Sequence, residues 1–214
     1  MGIRVGRADN NIKNVCARSR WPAAGFTLLE LLTAVLIAAL LLAITTPNFA
    51  EFRRNARMTA AANDLLAALQ VARSEAARRQ QPVSLCAAVD AGIEEPVCSG
   101  ESLAKLPERG WIIFADPNAD CARVADPAVE PVIRVREAFG ESSFTARATS
   151  ACISFASNGF LRFGPSVGVL FCDDRGMKLQ GGLTVARGLT LSPSGSARVT
   201  RDPDELQRLS LSCT

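Results

Sequence analysis

Residues 25–47 read GFTLLELLTAVLIAALLLAITTP, and the rest of the chain is read outward from them. Gly25 precedes Phe26 and an apolar run broken by one charge, Glu30. From Phe26 to Thr46 that is about 21 residues, or about 32 Å as an α-helix, close to the hydrocarbon thickness of a bilayer. A carboxylate inside such a span costs about 2.5–3.5 kcal/mol on insertion scales, so Glu30 calls for a partner of opposite charge. An ordinary single-pass anchor with a stray acid explains the length. It explains neither the position of the acid nor the glycine before it.

The flanking charge points the same way. The formal total is +3, from 24 Lys and Arg against 21 Asp and Glu. Residues 1–25 carry Arg4, Arg7, Lys13, Arg18 and Arg20 against Asp9, a local +4, which leaves about −1 (+3 − 4) for the remainder. The basic total therefore marks a segment kept on the cytoplasmic side rather than a protein that seeks nucleic acid. The apolar segment follows the expected cut instead of preceding it, unlike an ordinary secretory peptide, so the anchor is retained.

Beyond Pro47, expected to kink the helix, the pattern becomes amphipathic. Met58, Ala62, Leu65, Leu69, Ala72 and Ala76 recur at spacings of three and four and form one stripe. Arg57, Asp64, Glu75 and Arg78 lie off it, so the stripe reads as the contact of the helix with its own sheet. The helix is expected from Phe26 to about Gln80, ended by Pro82.

The pattern then turns to period two with turn punctuation. Strands are expected at Val83–Val89, Gly110–Phe114, Pro131–Glu137 and Val167–Cys172. Ala151–Ser157 and Phe160–Phe163 flank Asn158-Gly159 as a hairpin. Gly182–Leu191 forms a long final strand, and Ala197–Thr200 is an edge after the turn Pro193-Ser194-Gly195. Asp116, Asn118 and Asp120 invite a calcium loop but lack the glycine and glutamate that complete one, so they read as a solvated turn. The fold class is α+β.

Of seven cysteines, Cys16 precedes the cut, leaving Cys86, Cys98, Cys121, Cys152, Cys172 and Cys213. Six cysteines in an oxidising compartment allow three disulfides in 15 pairings. Cys86–Cys98 is expected as a local bridge. With no histidine and no Cys-x-x-Cys pair, no metal site or cofactor is expected. The absence of histidine, the usual proton-shuttling base, also argues against an enzyme.

GFTLLE followed at once by an apolar span resembles the start of the type IV pilin superfamily, which includes pilins and the pseudopilins of type II secretion. The resemblance implies that a prepilin peptidase cuts between Gly25 and Phe26 and that the new amine on Phe26 is methylated. Glu30 would pair with that amine on a neighbouring subunit, a pairing that exclusion of water favours. ARSEAARRQQPVSLC, GWIIFAD, ISFASNGFLRF and LTLSPSGSARV resemble the GspH/FimT group within the superfamily. The implied fold is a long N-terminal helix packed on two antiparallel sheets. The implied organisation is a leader over 1–25, a membrane or filament-core helix over 26–46, an amphipathic continuation over 47–81 and a β-rich periplasmic domain over 82–214.

The resemblance implies a single-pass protein of the bacterial inner membrane, with other pilins or pseudopilins as partners through the helix. Its favoured reading is a minor pseudopilin that helps assemble or cap the pseudopilus of type II secretion. The alternative is a FimT-like minor pilin that binds DNA during uptake. DNA-binding members use a C-terminal Gly-Arg-x-Arg motif, whereas this chain has Gly195, Ser196, Ala197, Arg198 and, three further on, Arg201. Arg187 on the preceding strand would add a third charge toward phosphates. Asp202, Asp204 and Glu205 follow at once and oppose it.

Overall fold

The computed structural model describes residues 25–140 and 144–213; inside the first helix the side chains of residues 44–48 lie outside the description. The leader up to residue 24, including Cys16, and the side chain of Pro47 with its expected kink therefore lie outside the described residues. The chain divides into two units, Met1–Thr46 and Pro47–Thr214. Helix α1, Leu28–Arg79, runs through the boundary.

In the first unit α1 begins where Thr27 caps it. The Thr27 hydroxyl accepts from the Glu30 amide at 3.2 Å, and its carbonyl accepts from the Leu31 amide at 3.1 Å. This satisfies donors that the first turn of any helix leaves free. At the far end Gln80 takes a left-handed φ of 57°, which closes the helix just ahead of Pro82.

In the second unit the stripe on α1 is buried as its spacing predicts. Met58, Ala62, Leu65, Leu69, Ala72 and Ala76 are all buried, joined by Ala61 and Ala68. Alanines let strands approach the helix closely, while each buried leucine contributes about 1.5–3 kcal/mol. The stripe packs on the inner faces of two four-stranded antiparallel sheets.

The first sheet has the order β3-β2-β1-β5, from β1 (Val83–Ala87), β2 (Trp111–Ala115), β3 (Val132–Arg136) and β5 (Cys152–Phe155). The second has the order β10-β9-β6-β4, from β4 (Phe144–Ala148), β6 (Val167–Asp173), β9 (Arg187–Leu191) and β10 (Ala197–Thr200). A short hairpin pairs β7 (Leu179–Gln180) with β8 (Leu183–Thr184).

Strands β1, β2 and β6 are buried on both faces or nearly so, although β1 alternates in the sequence. Val83, Leu85, Trp111 and Ile113 face α1, while Cys86, Ile112 and Phe114 face away and are covered by Ala88, Ala91 and Cys98. On the second sheet Leu170, Cys172 and Ala186 are covered by Leu206, Leu209, Leu211 and Cys213 from the tail.

The three disulfides tie these covers down. Cys86–Cys98 holds the coil after β1, Cys121–Cys152 holds the loop after β2 to β5, and Cys172–Cys213 holds the tail to β6. The expected Cys86–Cys98 bridge is present.

Several expected elements differ. The coil at 90–110 contains a 3-10 turn, Leu103–Lys105, and a short helix α2, Leu106–Arg109, which bury Leu103 and Leu106. β4 has no counterpart in the reading of the sequence, and its period-two pattern is carried by only Phe144 and Ala146. After the Asn158-Gly159 turn the second arm makes one bridge, Phe155 with Leu161, instead of a strand. The expected strand over 182–191 splits into β8 and β9. The tail folds into α3, Pro203–Arg208, capped by the Asp202 carboxylate accepting from the Asp204 amide at 3.0 Å.

In the turn expected to be solvated, Asn118 and Asp120 are exposed but Asp116 is not. Asp116 is fully buried and accepts from the Ser84 hydroxyl at 2.5 Å and from the amides of Asp120 and Cys121 at 3.2 and 3.1 Å. A buried carboxylate is held by the donors it gathers.

Candidate functional site

Thr27 sets the geometry at the head of α1. By capping the helix it places Glu30 in the first turn, where the helix dipole favours a carboxylate. Glu30 is exposed, and among the described residues its carboxylate has neither an ion pair nor a hydrogen bond. Gly25 is exposed, and its chain neighbours aside no described atom lies within 4 Å of where a Cβ would stand. Phe26 is 81% exposed, and the large apolar residues from Leu28 to Leu42 are all more than half exposed. A helix apolar on every side is a surface made to be covered. Among the described residues no helix is long and apolar enough to cross a membrane; that description stops at Ala43 within the apolar run.

The three arginines singled out in the sequence divide between two clefts. Arg198, on the edge strand β10, is engaged by Glu205, which also meets Thr190 at 3.3 Å. These groups line one cleft, together with Ser196 and Arg208. Arg187 lies on β9 as expected, but it is only 8% exposed. Its guanidinium donates to the Thr59 hydroxyl at 3.1 Å and to the carbonyls of Val185 and Ala186 at 2.6 and 3.4 Å. Burial, then repulsion from Arg201 and Arg175, holds its pKa below the usual arginine value. Arg201 donates to the Thr184 carbonyl at 2.8 Å and shares a second cleft with Arg187.

A third cluster emerges from the fold alone. Asp116, Asp120 and Glu130 each bring a carboxylate oxygen within 4.8 Å of the others, with Asp116 and Glu130 buried. Glu130 accepts from the Val124 amide at 2.5 Å. Sequence spacing signals the first two acids, but Glu130 is brought in by the return of the loop to β3.

A long helix packed along two antiparallel sheets, with an uncovered apolar head carrying one carboxylate, has the architecture of a pilin-like subunit. The chain belongs to the family described as type II transport protein GspH, whose model matches residues 61–197. Among solved structures it is similar to the type IV minor pilin FimU of Pseudomonas aeruginosa (strain PAO1) in two crystal forms. In the P21 form the identity is 21%, over 76% of this chain and 97% of that one, with a TM-score of 0.46. In the P65 form the identity is 20%, over 73% and 97%, with a TM-score of 0.44. No curated protein matches.

Proposed function

We propose that this chain is a minor pseudopilin, a non-enzymatic structural subunit that helps assemble or cap the pseudopilus of a type II secretion system. The observation that carries the reading is the head of α1, where exposed apolar side chains follow directly on Gly25 and Phe26 and a single unpartnered carboxylate sits in the first turn. The peptidase cuts between Gly25 and Phe26, and Phe26 is methylated on its new amine. Residues 26–46 then hold the subunit in the inner membrane, with the β-rich domain in the periplasm, until it joins the filament. In the water-free helix bundle Glu30 pairs with the Phe26 amine of a neighbour, setting the stagger between subunits. The family match supports a minor pseudopilin or pilin role. The DNA-binding alternative has less behind it, since Arg187 is buried and Arg198 is engaged by Glu205.

The test is co-expression with a prepilin peptidase and the companion minor subunits. The mature chain is expected to begin at methylated Phe26 by intact mass, and Gly25→Leu is expected to retain the leader. Glu30→Leu is expected to insert into the membrane but not to co-purify with the companions. Normal co-purification of Glu30→Leu refutes the pairing role.

A further inference from the structure

We infer that the cleft between α1, β9 and the approach to α3 is a binding site for a carboxylate, held by Arg187 and Arg201. The cleft has a volume of about 540 Å³ and is lined by Thr59, Leu183, Arg187, Thr200, Arg201 and Asp202 among others. Nothing in the assembly role proposed above requires it.

The argument starts from a charge that has no counter-charge. A buried guanidinium needs an anion close by, because its desolvation is otherwise uncompensated. The other deeply placed arginines follow this rule. Arg123, whose side chain is fully buried, meets Glu95 at 2.5 Å, and Arg175 meets Asp173 at 2.5 Å and Glu51 at 3.3 Å. Arg187 has no carboxylate within ion-pair distance among the described residues, only a hydroxyl and two carbonyls. Asp173, the acid whose charge favours that of Arg187, is already bound by Arg175.

A second arginine in the same cleft sharpens the anomaly. Arg201 uses only its Nε, on the Thr184 carbonyl, and makes no ion pair among the described residues. Arg187 Nη2 and both terminal nitrogens of Arg201 are therefore free to donate. Two guanidiniums repel each other unless an anion lies between them.

The charge balance identifies the class of ligand. Two arginines against Asp202, whose carboxylate caps α3, leave a local excess of +1. One monoanionic carboxylate neutralises it, and its planar pair of oxygens matches the guanidinium fork. A phosphate dianion overshoots it. The carboxylate comes either from a small free acid or from a Glu or Asp side chain of another protein.

The test uses the full chain in detergent micelles with ¹⁵N-labelled arginine, following the Nε–Hε resonances. Sodium acetate is titrated to about 100 mM, which nearly fills even a site with a Kd of about 10 mM, against sodium chloride and inorganic phosphate at matched ionic strength. Saturable acetate shifts at Arg187 and Arg201 are expected, weakened at least about tenfold by R201Q. R201Q is chosen because Arg187 is buried, and its disulfides and circular dichroism should match the parent. Acetate shifts unchanged by R201Q, or none that saturate, overturn the site. Preference for phosphate overturns the ligand class. N-acetyl-Gly-Glu-Gly-amide distinguishes the sources: tighter binding than acetate assigns a protein side chain, equal binding a free acid, and both uphold the site.

Discussion

Removing the three disulfides one at a time should expose how the covers hold the sheets. They close loops with separations of 12, 31 and 41 residues for Cys86–Cys98, Cys121–Cys152 and Cys172–Cys213. Loop-closure entropy alone then assigns them about 2.8, 3.7 and 3.9 kcal/mol. The last two are indistinguishable in practice, but the first stands about 1 kcal/mol apart. The perturbation is a paired Cys→Ser change at each bridge, in a soluble chain beginning at residue 53. The assay is urea unfolding monitored by the fluorescence of buried Trp111. The Cys86–Cys98 variant should lose least. Losing Cys172–Cys213 should also loosen the tail, because Leu206 and Leu211 then cover Leu170 without a covalent tie. If Cys86–Cys98 proves the costliest, or all three fall within about 0.5 kcal/mol, chain entropy is not what these bridges supply.

Gly188→Ala places a Cβ 2.1 Å from Leu206 Cδ2, so the buried Leu206 side chain must shift, and a loss of about 1–3 kcal/mol is expected, read as a fall in Tm. Leu69→Ala, at the centre of the α1 stripe, should cost about 2–5 kcal/mol in the same unfolding assay. Hydrogen bonds from Arg78 and then Arg79 lower the Glu75 pKa from 4.5 to about 2. Because the folded value is depressed, this stabilisation is present above pH 4.5 and fades as pH falls toward 2. Glu75→Gln should therefore remove about 0.5–1 kcal/mol at pH 6 and little near pH 2. An equal loss at both pH values would contradict the pairing.

Much of the fold was legible because its strongest signals are local. The α1 stripe, the turn Pro193-Ser194-Gly195 and the β10 edge follow from spacing and turn residues alone. Elements defined by long-range cover were not. β4 carries only two buried apolar residues, and α3 is visible mainly as Asp202-Pro203 ahead of an acidic turn. The burial of Asp116 could not be read from its solvated-looking neighbours, because Ser84 reaches it from 32 positions away. Gly25, Phe26 and Glu30 stand together in sequence, so the proposal about them needs no knowledge of the fold. The cleft of Arg187 and Arg201 depends on Thr59, far back on α1, and on β9 being sealed beneath the tail.

Arg73 carries one more consequence. From α1 it donates to the Ser194 carbonyl at 3.0 Å, and its side chain also lies against Gly159. Gly159 belongs to the turn after β5 and Ser194 to the turn between β9 and β10. These turns touch each other, through Leu161 donating to the Pro193 carbonyl at 2.9 Å. A Cβ on Gly195 would stand 2.1 Å from the Gly159 carbonyl oxygen, so the contact admits no side chain there. The two sheets share no strand, yet at this corner both are fastened to one helical side chain. Displacing Arg73 thus disturbs a turn of each sheet at once.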